Sequence, residues 1–170
     1  MKSILKKIFP HALAVAIFYV LSIVYFSPAV FDNKTLPQAD VKSSTAWGSD
    51  LKEYHNQTGD YAFWSNSMFS GMPANYTYMP PTNNVFKIFG KILTLNASLN
   101  YGLLFLYMIG FYIFVLAIGG KPWLGIVGAV AYGFCTYNLV IIEAGHINKG
   151  LVMATMAPIL GGIMLTYRKK

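Results

Sequence analysis

Charged residues are scarce in this chain. They account for 11% of its 170 residues, whereas 55% are hydrophobic. A soluble domain usually carries about 25% charged residues, so the composition excludes an ordinary soluble domain and equally a disordered chain. The single cysteine, Cys135, excludes a disulfide framework and a cysteine-rich metal site.

Apolar residues are concentrated in four blocks, which run over residues 12–31, 101–118, 123–142 and 151–167. About 20 apolar residues are needed to cross a bilayer, and only a helix satisfies its own backbone across such a length. A signal peptide is the alternative for the first block. That block is longer than a signal peptide's apolar run and lacks a small-x-small cleavage site. We therefore predict an all-α membrane protein with four transmembrane helices.

Acidic residues are missing from one side of the predicted membrane. When the N-terminus is placed inside, the inner segments contain no acid, and their basic residues are Lys2, Lys6, Lys7, Lys121, Arg168, Lys169 and Lys170. The outer side then holds six lysines and all six acids. This asymmetry follows the positive-inside rule and predicts that both termini are cytoplasmic. The net charge of +7 is thus a topology signal, and no nucleic-acid-binding motif accompanies it.

Residues 32–100 form the predicted extracytoplasmic loop, which is rich in turn formers and aromatic residues up to Thr82. Apolar residues then recur with a helical period over about residues 84–96, which predicts a short amphipathic helix on the membrane surface. Aromatic side chains such as Trp64 either stack on sugar rings or anchor the loop at the bilayer interface.

Three carboxylates of this loop are candidate catalytic groups, namely Asp40, Asp50 and Glu53. Carboxylates serve as general bases and as ligands for divalent metal ions. The spacing of Asp50 and Glu53 would place both on one face of a helix. Solvated loop acids with no chemical role are the alternative.

A second polar cluster lies between the third and fourth apolar blocks and contains Glu143, His146, Asn148 and Lys149. If the fourth helix starts near Asn148, its N-terminal amides and the nearby lysine form an anion site. At a membrane face the expected anion is a lipid phosphate. The alternative is an ordinary connection with one snorkelling lysine.

The last two apolar blocks contain regularly spaced small residues and a proline. Gly125, Ala129 and Gly133 recur every four residues, which predicts a packing face against another helix. Pro158 predicts a kink in the fourth helix.

Two strings of residues resemble a known family. One runs from Leu51-Lys52-Glu53-Tyr54 through Thr58-Gly59 to residues 64–73, and the other comprises residues 143–149 with Met153-Ala154, Ala157-Pro158 and the basic end 167–170. Both resemble the amino-terminal part of the large YfhO-type bacterial membrane proteins, and the resemblance covers essentially the whole chain. That family is similar to the GT-C superfamily of multi-spanning glycosyltransferases.

The resemblance implies a location in the bacterial inner membrane, a sugar donor, a catalytic acid and a longer enzyme. Such enzymes use a polyprenyl-phosphate sugar and place an acid in the first outer loop, here matched by Asp40. Relatives often have a glutamine three residues later, where this chain has Ser43. Asp40 would be the base or a metal-linked carboxylate with a divalent metal ion as cofactor, and His146 and Lys149 would hold the lipid phosphate. Family members have about a dozen spans, so a four-span portion is expected to be inactive alone.

A non-enzymatic membrane protein is the rival interpretation, with an outer loop that binds another protein during assembly or transport. Transporters usually bury polar groups near the middle of the membrane. The four apolar blocks contain almost none, which disfavours transport itself.

Overall fold

The computed structural model describes residues 2–32, 34–76, 91–95 and 99–168. Its helices are α1 (Lys2–Tyr25), α2 (Ser27–Phe31), α3 (Ala39–Trp47), α4 (Ser49–Thr58), α5 (Leu99–Ala117), α6 (Pro122–Gly133), α7 (Thr136–Ala144) and α8 (Ile147–Arg168). Two short antiparallel strands, β1 (Trp64–Ser65) and β2 (Met72–Pro73), form a hairpin that leads into a 3-10 turn at Ala74–Tyr76. The described part of the chain is therefore mostly helical.

Three helices are long and apolar enough to cross a membrane, over Ile4–Tyr25, Asn100–Ala117 and Ile147–Arg168. Helices α6 and α7 together pass the same test but meet at a bend of 49°. The chain has up to four spans if this bent pair crosses as one.

The first span lies nearer the N-terminus than the predicted block 12–31. Helix α1 starts at Lys2, and Ser27–Phe31 forms the separate helix α2. Pro28 explains the division, because it has no N–H to bond the Val24 carbonyl and its fixed φ suits the first turn of a new helix.

The predicted single helix over residues 123–142 is wrong, because the chain breaks at Phe134 and Cys135. Asn138 stabilises the break: it is 2% exposed, and its Nδ2 donates to the carbonyl of Tyr132 at 2.7 Å. A broken apolar helix is tolerated where a side chain satisfies the freed backbone groups.

Helix α5 is the centre of the bundle and packs most extensively against α8 and α6, then against α1. Small residues allow this approach. A Cβ added to Gly125 would lie 2.9 Å from Tyr112 Cδ2, and one on Gly133 would lie 2.5 Å from Met108 Cγ. The predicted packing face of small residues on the third block is confirmed, since Gly125, Ala129 and Gly133 are buried. Pro158 lies within α8, which continues through it as one helix.

The predicted outer loop contains regular structure. Helices α3 and α4 and the hairpin occupy much of residues 39–73, so Asp40 and Asp50 lie on helices rather than in an irregular loop. The surface helix predicted over residues 84–96 falls mostly outside the described residues. Within 91–95, the first three residues are helical and the last two form a turn.

Candidate functional site

Asp40, one of the three candidate carboxylates, meets His146, Asn148 and Lys149 of the second polar cluster at one cleft. The cleft has a volume of about 630 Å³ and is lined by Asp40, Val41, Ser44, Trp47, Gly145, His146, Ile147, Asn148 and Lys149. One wall comes from α3, and the other comes from the turn between α7 and α8 together with the first turn of α8. We call it the Asp40–His146 cleft.

Helix α3 contributes one face to the cleft. Asp40, Ser44 and Trp47 are spaced i, i+4 and i+7, so their side chains project from the same side of the helix. Asp40 occupies the first turn, where a carboxylate is stabilised by the unpaired amides and the positive end of the helix dipole. The charge of Asp40 is thus favourable for its own helix as well as for a neighbouring cation.

Gly145 allows the turn between α7 and α8 to lie close to α3. It ends α7 with a left-handed φ of +88°, and the N–H of His146 then donates to the Ile141 carbonyl at 3.1 Å. A Cβ at Gly145 would lie 2.9 Å from Val41 Cγ2 and 3.0 Å from Gln38 Cβ. Glycine therefore suits this position for two reasons. It adopts the left-handed conformation of the turn without strain, and it leaves room for the close contact with α3.

Gln38 connects the start of α3 to the helix bundle by hydrogen bonds. Its Nε2 donates to the carbonyl of Ile142 at 2.7 Å and to Oδ1 of Asn100 at 3.0 Å. These bonds join the segment before α3 to α7 and α5. Together with the contact at Gly145, they hold Asp40 against the turn that carries His146.

Asp40 and His146 form the central polar contact of the cleft. Nδ1 of His146 lies 2.8 Å from Oδ2 of Asp40, and each side chain is about half exposed (48% and 49%). When the imidazole is neutral, Nδ1–H donates to the carboxylate and leaves Nε2 as an acceptor; when it is protonated, the contact is an ion pair. Among the described residues, none makes a hydrogen bond to Nε2 of His146. The carboxylate thus orients a ring whose second nitrogen is available to a ligand.

Lys149 supplies a cation in the first turn of α8. Its Nζ lies 5.2 Å from the centre of the Tyr137 ring, within the range of a cation–π contact. The first amides of a helix lack intrahelical partners and favour anions. Helix α8 starts at Ile147, close to the expected Asn148, so Lys149 and the first amides of the helix lie at the same turn.

Four predicted site residues lie elsewhere. Glu143 lines a separate cleft of about 210 Å³ beside Leu36 and Pro37. Asp50 accepts a hydrogen bond from Ser65 at 2.9 Å rather than facing the Asp40–His146 cleft. Two others share neither cleft: Glu53, which bonds the next turn of α4, and Trp64, which lies over Gly71 in the hairpin.

A metal site with three protein ligands is not present among the described residues. No group of three or more His, Cys, Asp and Glu side chains converges within residues 2–32, 34–76, 91–95 and 99–168. Asp40 and His146 alone provide two ligand atoms, and these already contact each other. The expected divalent ion therefore stays a prediction.

Trp47 and Gln38 are site residues that the sequence interpretation missed. A helical spacing from Asp40 to Trp47 is visible in the sequence and would have placed both on one face. Ser43, Ser44 and Thr45 weaken that signal, because such residues compete with helical backbone bonds. Nothing in the sequence marks Gln38, whose partners are distant in the chain.

Comparisons of the chain with models of protein families, with curated proteins and with solved structures find no match. Function is therefore inferred from the cleft and from the resemblance of the two strings.

Proposed function

We propose that this chain belongs to a GT-C-like glycosyltransferase and binds a polyprenyl-phosphate sugar at the outer face of a bacterial inner membrane. The observation that supports this most strongly is the 2.8 Å contact between Asp40 and His146 in a cleft that also holds Lys149. Sugar transfer from a lipid phosphate needs a base for the acceptor and a cation for the leaving phosphate, and the cleft offers both.

The base in this proposal is the Asp40–His146 pair. Asp40 fixes the ring so that Nε2 accepts the proton of the acceptor hydroxyl, and the carboxylate stabilises the imidazolium that forms. The acceptor oxygen forms a bond to the anomeric carbon as the bond from that carbon to the phosphate oxygen breaks. The electron pair of the broken bond stays on the polyprenyl phosphate.

Lys149 and the first turn of α8 stabilise the phosphate in this scheme. A contact between an ammonium and a phosphate is charge-assisted and is worth roughly 1.5–3 kcal/mol. Loss of Lys149 is thus expected to weaken binding by about ten- to a hundredfold. Glu143 lines the separate cleft, so Glu143→Gln should have little effect on this contact.

Binding tests this assignment directly. A radiolabelled short-chain polyprenyl phosphate would be titrated against the purified chain in detergent. Lys149→Ala should weaken binding as stated. Lys52→Ala is the matched control, because Lys52 is exposed on α4 and lies outside the cleft. If the two variants bind like the parent, the turn before α8 is only a connection.

Substitutions of Asp40 and His146 distinguish a catalytic role of these residues from a role in phosphate binding. Asp40→Asn and His146→Gln should each reduce sugar transfer by about 10²–10⁴-fold, measured in membranes in which the parent protein supports transfer. Gln retains a donor near Nε2 but no basic nitrogen, so it would preserve activity if His146 only held the phosphate. Normal transfer by Asp40→Asn at normal protein level would remove the pair from catalysis.

The membrane orientation is part of the proposal and rests on the charge asymmetry of the sequence. It places the Asp40–His146 cleft and α4 outside. An Asn56→Cys substitution, at an exposed site on α4 in a Cys135-free background, should react with an impermeant maleimide in cells whose cytoplasm remains sealed. If labelling occurs only after the inner membrane is permeabilised, α4 lies on the cytoplasmic side and the predicted orientation is wrong.

A second candidate function is supported by the hairpin. Phe63 and Phe69 are 90% and 83% exposed, and neither lines the Asp40–His146 cleft. Phe69 and Ser70 also have positive φ values of 50° and 60°, which are uncommon for residues other than glycine. Exposed aromatic residues on a defined turn suit a protein–protein contact. A photo-crosslinker at position 69 should then give one discrete protein adduct, whereas crosslinks to lipid alone would reject this function.

A further inference from the structure

Trp47 presents an aromatic surface inside the cleft. It is the last residue of α3, is 41% exposed, and lines the same cavity as Asp40 and Lys149. A tryptophan ring is a large apolar surface, and leaving much of it in contact with water forgoes the free energy of burial. The cavity of about 630 Å³ lies within the range of small-ligand sites.

The end of α3 is held by the hairpin. Ser67 Oγ donates to the carbonyl of Trp47 at 2.7 Å, which satisfies a carbonyl that the helix leaves unpaired. The backbone N–H of Ser67 donates to Ser65 Oγ at 3.3 Å, and Ser65, which is fully buried, donates to Asp50 Oδ2 at 2.9 Å. These contacts fix the backbone from which the Trp47 side chain projects.

We infer that Trp47 is the surface on which the sugar ring of the lipid-linked donor stacks, and that Ser67 positions it. This inference rests on the proposed function and adds the sugar half of the ligand to the phosphate half. The C–H groups on one face of a pyranose carry partial positive charge and complement the negative face of the indole ring. Lys149 would contact the phosphate while Trp47 contacts the sugar.

Asp50 receives a different role from the one expected from the sequence. Its carboxylate is engaged with Ser65 and does not line the cleft, so it contacts neither sugar nor phosphate there. Asp50 is a positioning residue that supports the hairpin against α4. The hairpin in turn supports Trp47 through Ser67.

Fluorescence isolates the contact of Trp47 with the sugar. The chain has three tryptophans, so Trp64→Phe with Trp123→Phe leaves Trp47 as the only indole. This protein in detergent would be titrated with polyprenyl phosphate carrying glucose, mannose or N-acetylglucosamine, and with the same polyprenyl phosphate without sugar. At least one sugar-lipid should shift the emission of Trp47 and bind about three- to tenfold more tightly than the plain lipid phosphate.

Equilibrium binding of radiolabelled lipids then tests the residues. Trp47→Ala should remove the advantage of the sugar-lipid and leave the plain lipid phosphate unchanged, whereas Trp47→Phe should retain part of it. Ser67→Ala should reduce the same advantage. Ser70→Ala is the matched control, because Ser70 lies in the same hairpin and is exposed.

The outcomes separate this inference from the function on which it rests. If plain lipid phosphate binds through Lys149 but no sugar-lipid binds better or shifts the emission, Trp47 is an interfacial anchor and the inference is overturned. The phosphate site then stands. If no polyprenyl phosphate binds, the proposed function and the inference both fail.

Discussion

Adding one methyl group at Gly145 should open the Asp40–His146 cleft. Gly145 has a φ of +88°, and a Cβ there would lie 2.9 Å from Val41 Cγ2. The left-handed conformation costs an alanine roughly 1–2 kcal/mol. Crowding against α3 adds about 1–3 kcal/mol. Gly145→Ala should therefore lower the free energy of unfolding by about 2–5 kcal/mol.

Gly59→Ala is the matched control for this prediction. Gly59 also ends a helix with a left-handed φ, +79°, but nothing lies within 4 Å of a Cβ added there. It should cost only the conformational part, about 1–2 kcal/mol. Both variants would be unfolded by titration with SDS in mixed micelles and followed by circular dichroism.

A second substitution tests whether the contact with Val41 causes the difference. Val41→Ala removes the atom that the new methyl group would meet, so it should restore part of the stability lost in Gly145→Ala. A coupling of about 1 kcal/mol is expected for two residues in direct contact. Polyprenyl-phosphate binding should fall in Gly145→Ala and not in Gly59→Ala. Equal losses for the two glycine variants, with no coupling to Val41, would show that Gly145 does not hold α3 against the turn.

Three further predictions concern packing and hydrogen bonds and use the same unfolding titration. Gly125→Ala should destabilise the bundle by about 1–3 kcal/mol because of its close contact with α5, whereas Gly162→Ala, which has open space, should be neutral or stabilising by about 0.5–1 kcal/mol; equal effects would refute the packing interpretation. Asn138→Ala should cost about 1–3 kcal/mol because it leaves the Tyr132 carbonyl at the break of α6 and α7 without its donor; no loss of stability would show that this bond does not hold the break. Gln38→Glu should be at least as damaging as Gln38→Ala, because a carboxylate cannot donate to the Ile142 carbonyl; a stable Glu variant would show that this bond is unimportant.

Four of the residues named as candidates from the sequence are neighbours in the structure, and their roles stay predictions. Asp40, His146, Asn148 and Lys149 were named from the sequence, and all of them line one cleft. Glu143 was grouped with His146 because the two are close in sequence. It belongs to the end of α7 and faces Leu36 and Pro37, since the left-handed turn at Gly145 redirects the chain between Glu143 and His146.

The fold was predicted best where a segment depends on its own composition. Long apolar runs become helices in a membrane because a helix satisfies its backbone groups within the one segment, and α5 and α8 follow this rule. The bend between α6 and α7 escaped prediction, because it depends on the bond from Asn138 to the Tyr132 carbonyl. The hydropathy of residues 123–142 is the same with or without that bond.

The sequence by itself determined the helical character, the long apolar helices and the asymmetric distribution of charge, all of which arise from residues close together along the chain. Only the tertiary structure decided that Asp40 meets His146, that Trp47 forms a wall of their cleft, and that Asp50 faces the hairpin. These contacts join residues from distant segments, and they depend on the packing of the helices against α5 and on the hydrogen bonds of Gln38 that hold the start of α3 to α5 and α7. The sequence around each residue does not indicate such contacts, because their free energy arises from packing between helices that are distant in the chain.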